Sequence, residues 1–290
     1  MPKFHMGYIG AASISEPDKE GTKYFVTGSS LNPVQTVNAP DVVAGHKMRR
    51  GWNYGKVEIG GNITGPYHTG AGSLFAQATE RGSGADQDHM SYNDLTVEIA
   101  YYWGAGRKFT GCSINNMQIA CTAGDVATFT VDFFGTKVED STFSGAVGCS
   151  KLITWDRCKL STTKLTTANT QAFTATFNNN LQRLYAITAS ANSDLFPVDV
   201  PAGPLEVTGT ISLYAEGPLS AFGLGGSGAF GADNWGQYES DQAKQRVTMQ
   251  IGNPAVASAV FDAVFHRPES ASQTGPTIYT LNFTGVCDLT

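Results

Sequence analysis

The stretch that decides the fold is FTGCSINNMQIACTAGDVATFTVDFFG, residues 109–135. Polar and apolar residues alternate on both sides of Ala123-Gly124-Asp125, and no helical period is present. Because successive side chains of a β-strand point to opposite faces, the alternation predicts two strands, each with one face in a core. The Gly-Asp pair between them is typical of a tight turn. We therefore expect an antiparallel hairpin that needs further strands beside it.

A second stretch, residues 182–217, repeats this layout. QRLYAITAS precedes a turn region, and Ala202-Gly203-Pro204 then leads into LEVTGTISLYAEG. We expect these segments to be strands that partner the first hairpin. The outgoing strand of each stretch carries a row of polar residues on one face: Thr128, Thr130 and Asp132 in the first, and Glu206, Thr208, Thr210 and Ser212 in the second.

Similar alternation along the rest of the chain predicts an all-β fold. It is present in KVEIGGNITG (residues 56–65), in DLTVEIAYYW (residues 94–103) and in three segments after residue 246. One short helix is predicted at residues 71–81, where apolar residues fall on one helical face. Period-two alternation with one polar face is typical of antiparallel sheets. We therefore predict an antiparallel β-sandwich or barrel with one short helix.

The length of 290 residues suits one β domain. Residues 1–50 carry scattered prolines and little periodicity, which predicts an extended N-terminal arm or loop before a domain over residues 51–290. Residues 217–246 are rich in glycine and longer than most connections, so we expect a projecting loop there. No apolar stretch is long enough for a membrane span, and the start lacks the pattern of a secretory leader, so no membrane association is expected.

The charge argues against a protein that grips nucleic acid. The formal net charge is −6, and residues 47–50 form the one basic run, whereas phosphate binding requires clustered Lys and Arg. The two polar rows contain hydroxyls and acids but neither Lys nor Arg. Such a surface repels a polyanion weakly and allows it to pass without attachment.

No catalytic, cofactor or metal site is predicted. GLGGSG at residues 223–228 matches the letters of a dinucleotide fingerprint but lacks the strand and helix that the fingerprint requires. The five histidines and five cysteines show no metal-ligand spacing, and no GxSxG nucleophile elbow occurs. Asp132 and Glu206 are the best carboxylate pair for a glycosidase, but no aromatic platform for a sugar accompanies them.

The cysteines are expected to be small buried thiols. Cys112 and Cys121 lie nine positions apart on one predicted strand, which places them about 30 Å apart and on opposite faces, so they cannot bridge each other. Cys149 with Cys158, across a short hairpin, is the local disulfide that the sequence leaves open.

Three segments of the chain resemble the tail tube proteins of long-tailed bacteriophages. They are residues 109–135, FNNNLQRLYAI at residues 177–187, and the strand at residues 203–217. The resemblance covers roughly residues 51–290. It implies a β-sandwich with a flanking helix, similar to the inner tube of type VI secretion systems, and a structural role without enzymatic activity. Members of the family form hexameric rings whose inner strands join into a barrel, and the rings stack into a tube for the genome.

The resemblance also implies partners and a location. The expected partners are further copies of the chain, the tape measure, tail terminator and baseplate proteins, a sheath protein if the tail is contractile, and DNA in transient, non-specific passage. The protein is expected in the virion tail after assembly in the cytoplasm of the host bacterium. The residues of the two polar rows are then expected to face the lumen: Thr128, Thr130, Asp132, Glu206, Thr208, Thr210 and Ser212.

A second class of function stays open at this point, namely a virion-surface or secreted β-sandwich that binds a carbohydrate or a receptor. Trp52, Tyr54, Trp103 and Trp235 would offer stacking surfaces for such a ligand.

Overall fold

The computed structural model describes residues 11–15, 21–38, 53–79, 95–100, 106–142, 151–162, 170–185, 195–215, 244–265 and 277–286. Within these ranges the fold is one large antiparallel β-sheet and a single short α-helix, α1, at Gly72–Thr79. The prediction of an all-β antiparallel fold with one helix is confirmed. The strands are β1 (Ala11–Ser15), β2 (Thr22–Phe25), β3 (Gly28–Ser29), β4 (Asn32–Asn38), β5 (Asn53–Pro66), β6 (Leu95–Ala100), β7 (Gly106–Thr122), β8 (Thr128–Gly135), β9 (Lys137–Ser141), β10 (Cys158–Thr162), β11 (Thr170–Asn178), β12 (Glu206–Ala215), β13 (Lys244–Ile251), β14 (Ala257–Phe265) and β15 (Thr277–Val286).

Strand β7 is the centre of the sheet. Its first half pairs with β6 and β9, and its second half pairs with β8 and β11. From β7 the sheet continues on one side through β11, β12, β15, β14 and β13 to β10. On the other side β8 leads to β5, which carries β3 and β4. The turn between β7 and β8 lies at Ala123-Gly124-Asp125, as predicted, with Gly124 at φ +93°.

Gly111 divides the two halves of β7. Its φ of +59° lies in the left-handed region that side chains other than glycine rarely adopt, and a Cβ there would overlap the side chain of Thr136. The register to β8 also shifts between Ile114 and Asn116. An odd residue in a strand reverses which side chains face the core. Cys112 and Cys121 are therefore both buried, and the prediction that they lie on opposite faces is wrong.

The sheet folds over its apolar face and closes on itself. The segment before β10 meets the turn between β7 and β8: Ala127 N–H donates to Ile153 O (2.9 Å), and Trp155 N–H donates to Asp125 O (3.0 Å). We call this junction the seam. The segment that leads into β10, at one end of the strand path, thus meets the turn that follows β7, near the middle of the path, and this part of the sheet closes around the core.

Aromatic side chains fill the centre of this core. Phe177 of β11 packs edge-on against Phe75 of α1, with ring centroids 5.2 Å apart, and against Phe261 of β14 at 6.4 Å. Phe261 stacks in turn on Phe283 of β15. Burying such rings contributes about 1.5–3 kcal/mol each. Helix α1 therefore covers the core between β7 and β14, as its predicted apolar face requires.

The N-terminal region differs from its prediction as an arm. Residues 11–15 and 21–38 form β1 to β4, and β1 pairs with both β2 and β6. Ala12, Ile14 and Tyr24 are buried in the main core. For these residues the predicted arm is wrong, because pairing with distant strands outweighs the weak local pattern. The rest of residues 1–50 and most of the predicted loop at 217–246 lie outside the described residues.

The strand that partners β7 also differs from its prediction. Residues 182–185, expected as a strand, form only an isolated bridge between Leu184 and Asp199. The partner of both β7 and β12 is instead β11, which follows β7 and precedes residues 182–185 and β12 in the chain. β12 itself, Glu206–Ala215, lies where the sequence predicted it.

In the part of the chain that the structure describes, no helix is long and apolar enough to cross a membrane.

Gly209 tests the packing of the sheet. It lies on the core face of β12 opposite Phe283, and an added Cβ would overlap both Thr174 O and the Phe283 ring. We expect Gly209→Ala to lower the free energy of unfolding by about 1–3 kcal/mol, measured by chemical denaturation. In the control Gly28→Ala, the added Cβ has no atom within 4 Å, and we expect a change below about 0.5 kcal/mol. Equal losses in both variants would contradict this packing.

Candidate functional site: a polar sheet face

The two predicted polar rows lie on one continuous face of the sheet. β7 and β11 stand between β8 and β12, and their outward residues join the two rows. β5 and β15 extend the face on either side. We call these outward residues the polar face, and all of them are exposed or half-buried. They are Asn62, Thr64, Asn116, Gln118, Ala120, Thr128, Thr130, Asp132, Ala172, Thr174, Thr176, Asn178, Glu206, Thr208, Thr210, Ser212, Thr280, Asn282 and Thr284.

The strand register also aligns these side chains in cross-strand rows. These rows run across six strands, at right angles to the two predicted rows along β8 and β12. One row is made almost entirely of threonine: Thr64, Thr130, Gln118, Thr176, Thr208 and Thr284. The next row lies one step farther from the turn between β7 and β8. It contains amides and acids: Asn62, Asp132, Asn116, Asn178 and Glu206. The alternate residues of the same strands, such as Phe129, Val131 and Ile211, are buried. Period two thus assigns one side to the core and the other to this face.

Hydroxyls on the polar face bond to each other across the strands. Thr174 and Thr210 lie 2.8 Å apart between their Oγ1 atoms, and Thr64 and Thr130 lie 3.1 Å apart. Ser212 and Thr280 form a third pair at 3.2 Å. Such cross-strand pairs stabilise a sheet by about 0.2–1 kcal/mol each. They also occupy part of the hydrogen-bonding capacity that would otherwise be offered to a ligand.

Asp132 and Glu206 are the two charged groups of the polar face, and both are acidic. They share a row but are separated by β7 and β11, which are three strand spacings, or about 14 Å. Glycosidases hold their two carboxyls about 5–9.5 Å apart. The pair is too widely spaced for that chemistry. Partial burial raises the pKa of Asp132 above its usual range.

Asparagines close one end of the polar face. Asn179, fully buried, donates from Nδ2 to Ile114 O (2.9 Å) and to Ala78 O at the end of α1 (3.1 Å). Asn180 adopts φ +50° and donates from Nδ2 to Pro204 O (2.9 Å). Leu181 N–H donates to Asn115 Oδ1 (3.0 Å). The runs SINN (residues 113–116) and FNNN (residues 177–180) thus contact each other. Their hydrogen bonds connect β7, β11, α1 and the segment that leads into β12. Sequence reasoning missed this junction, although the density of Asn in both runs is a signal for turns and caps.

An arginine marks the border of the polar face beyond this junction. The Arg183 guanidinium lies over the Phe134 ring at 3.7 Å and donates to Ile59 O at 3.0 Å. It also lies 3.8 Å from a carboxylate oxygen of Glu58, which pairs with Lys56. Arg183 is therefore held against the sheet by groups of the same chain. The cations at this border are paired with groups of the same chain and are not aimed at an incoming polyanion.

Enzyme chemistry finds no support in the described residues. None of their His, Cys, Asp and Glu side chains form a group of three that would hold a metal ion. His68 is fully buried and accepts a hydrogen bond at Nδ1 from Gly70 N–H (3.1 Å), and burial lowers its pKa. It caps a turn rather than facing a cleft. Of the aromatic residues considered for carbohydrate stacking, Trp52, Trp103 and Trp235 lie outside the described residues.

A family model described as phage tail tube protein matches residues 8–285 of the chain. The chain belongs to the phage tail tube protein family. Tail tube proteins are structural components of the phage tail, so the prediction of a structural protein without enzymatic activity is confirmed. The match begins before β1 and ends within β15, and it therefore includes the N-terminal strands as well as the polar face. A comparison with curated proteins finds no match.

The ionisation of Asp132 gives a test of the polar face in this tail tube protein. Burial raises its folded pKa above the unfolded value, so the folded state binds this proton more tightly and loses stability as pH rises through that range. We expect Asp132→Asn to increase the free energy of unfolding relative to wild type more at pH 7 than at pH 3. The measurement is urea unfolding at both pH values, with the exposed Glu206→Gln as control. A gain that is independent of pH would show that the carboxylate is not desolvated.

Proposed function

We propose that this chain is the major tail tube subunit, whose copies form hexameric rings that stack into a conduit for DNA ejection. The polar face lines the lumen, including Thr128, Thr130, Asp132, Glu206, Thr208, Thr210 and Ser212. The observation that carries this proposal is the composition of the polar face. Its residues are hydroxyls, amides, two alanines and two acids, and the cations at its border, Lys56 on β5 and Arg183, lie against Glu58 of the same chain. Phosphates find no cation to bind there, and weak repulsion keeps DNA from adhering.

Contacts between copies would involve strands beyond the central ones. β8 pairs on both edges within the chain, with β7 and β5, and β12 pairs on both edges with β11 and β15. Neighbouring copies would therefore join through other strand edges. Closure between copies removes free strand edges, which otherwise promote uncontrolled pairing.

Other tail components complete the proposed setting. The subunit would assemble in the cytoplasm of the host bacterium around the tape measure protein and be bounded by the tail terminator and baseplate proteins. A sheath protein would surround the tube if the tail is contractile. Heterologous contacts between identical copies form a ring when the rotation closes, and stacking adds a helical repeat.

Strand β4 provides a surface for self-association. Within the described residues it pairs only with β5, so its other edge is open. Val34 and Val37 are 61% and 58% exposed, and the residues between them are exposed as well. No charged residue occurs from Leu31 to Pro40. An uncharged, β-branched edge strand of this kind is a template for pairing with another copy of the chain.

The role of β4 can be tested with two added charges. We expect Val34→Lys with Val37→Lys to reduce the assembled fraction at least about tenfold, since charged edges resist strand addition. Sedimentation and negative-stain microscopy measure the assembled fraction, and circular dichroism checks the fold. The control, Thr69→Lys with Ser258→Lys, adds the same charge at two exposed positions and should assemble normally. Normal tubes from the β4 variant would exclude this edge from the contacts.

The lumen is tested by reversing its charge. Each copy contributes Asp132 and Glu206, so a ring of six carries twelve carboxylates. Asp132→Lys with Glu206→Lys should leave tubes intact, because neither group is in the core, but DNA should adhere and its ejection should slow, most strongly at low salt.

The matched control for this experiment is Asp132→Asn with Glu206→Gln, which removes the charge without adding cations. We expect ejection from these particles at close to the normal rate. Ejection is followed by fluorescence of a DNA-binding dye across a range of salt concentrations. A normal rate and normal salt dependence for the double Lys variant would place the polar face elsewhere than the lumen.

A further inference from the structure

A cavity opens at the seam of the sheet, at the edge of the polar face, where Ala172 lines it. Its volume is about 520 Å³, and it lies between the end of β7, the start of β11, β10 and the turn that follows β13. Trp155, which is 49% exposed, and Gln171 are among the residues that line it. Two thiols, those of Cys121 and Cys158, line the same cavity. A small molecule can therefore approach both sulfurs from one side.

The two cysteines come from strands that are not neighbours in the sheet. Cys121 lies near the end of β7, opposite Phe173 of β11, and is buried. Cys158 begins β10, is half-buried, and its Sγ–H donates to Thr154 O at 3.6 Å. Closure of the seam brings them together, because the segment that leads into β10 bonds to the turn directly after Cys121. Both are free thiols in this structure.

The surroundings of the two thiols are unequal. Interaction with the neighbouring Cys158 thiol lowers the pKa of Cys121, whereas the interaction with Cys121 and burial raise the pKa of Cys158. The thiolate is the nucleophile in thiol–disulfide exchange. Cys121 is therefore the attacking group and Cys158 is placed to resolve the product. The sequence left a disulfide between Cys149 and Cys158 open, and Cys149 lies outside the described residues.

We propose that Cys121 and Cys158 form an oxidisable thiol pair that reacts with low-molecular-weight disulfides and closes a disulfide across the seam. The Cys121 thiolate attacks one sulfur of the small disulfide and releases one thiolate, which takes up a proton. Cys158 then loses its proton and attacks the Cys121 sulfur, and the second small thiol leaves. The protein loses two hydrogens, and the small disulfide is reduced to two thiols.

The environment of a virion suits this chemistry. Thiols stay reduced in a bacterial cytoplasm, whereas disulfides persist once a particle is outside the cell. The cross-link would join the end of β7 to β10. In the described residues these two strands are not paired with each other, and hydrogen bonds of the flanking loops connect them. The cross-link therefore adds a covalent bond where the sheet is closed by few backbone contacts.

The reaction is tested on the folded, full-length protein with 2-hydroxyethyl disulfide as the probe. We expect the mass to fall by about 2 Da, the free-thiol count to fall by two, and peptide mapping to join Cys121 to Cys158. The melting temperature of the oxidised protein should rise by roughly 5–10 °C, reversibly on addition of dithiothreitol.

Serine variants separate this pairing from the alternatives. Cys158→Ser should stop at a stable adduct on Cys121, and Cys121→Ser should react at least about tenfold more slowly at Cys158. Cys112→Ser should still form the cross-link. A disulfide between Cys149 and Cys158, separate adducts on both thiols, or no reaction at either would each overturn the assignment. None of these outcomes depends on tube formation, so the result is independent of the proposed function.

Discussion

The backbone of β7 must hydrogen-bond to four other strands, and the rest of the structure depends on this requirement. A strand has only two edges, so the 17 residues of β7 divide into two halves with different partners. The left-handed residue Gly111 and the register shift beyond it turn the chain between the halves. Across these two irregularities the buried positions of β7 pass from Phe109 to Cys112 and Ile114, and then to Met117 and Ile119. One strand thus connects the N-terminal part of the sheet to the part that bears the polar face.

The chemistry of the polar face follows from what its strands bury. Each strand gives its large apolar residues to the core, and its outward positions hold mainly Thr, Ser and Asn. β-Branched threonine satisfies the conformational preference of a strand while presenting a small hydroxyl. Several of these hydroxyls pair with each other across strands. The residues that stabilise the sheet therefore also supply the small, mostly neutral side chains of the polar face, and several of these hydroxyls satisfy one another without a ligand.

Local pattern in the sequence was sufficient for part of this structure. The turn at Ala123-Gly124-Asp125, strand β12 and helix α1 were predicted, because period two, period 3.6 and turn residues are visible within a few positions. The two polar rows were also predicted, but their union on one face depends on β11, which the sequence reasoning passed over. The alternation Phe173, Ala175, Phe177 was available as a signal for that strand.

Other features depend on contacts that are distant in sequence. The short strands β1 to β3 carry little pattern, and only pairing with β5 and β6 makes them part of the sheet. The burial of Cys112 and Cys121 on the same side follows from a single irregularity in β7 that alternation alone does not reveal. The hydrogen bonds of Asn179 join residues 65 and 101 positions apart in the chain. Sequence reading can suggest that such an asparagine lies at a turn, but not which carbonyls it binds.

The position of the two acids within the polar face has a consequence for transport. Asp132 and Glu206 share one row near the asparagine junction, whereas the rows toward the turn end are neutral. In a stack of rings, negative charge would therefore be concentrated in narrow bands, and hydroxyl zones would separate them. Four rows along a strand extend over about 20 Å, which exceeds the Debye length of about 8 Å at physiological salt. The wall would thus present DNA with alternating negative and neutral bands. The repulsion between the phosphates and each negative band would be weak, and its strength would change with the ionic strength inside the tube.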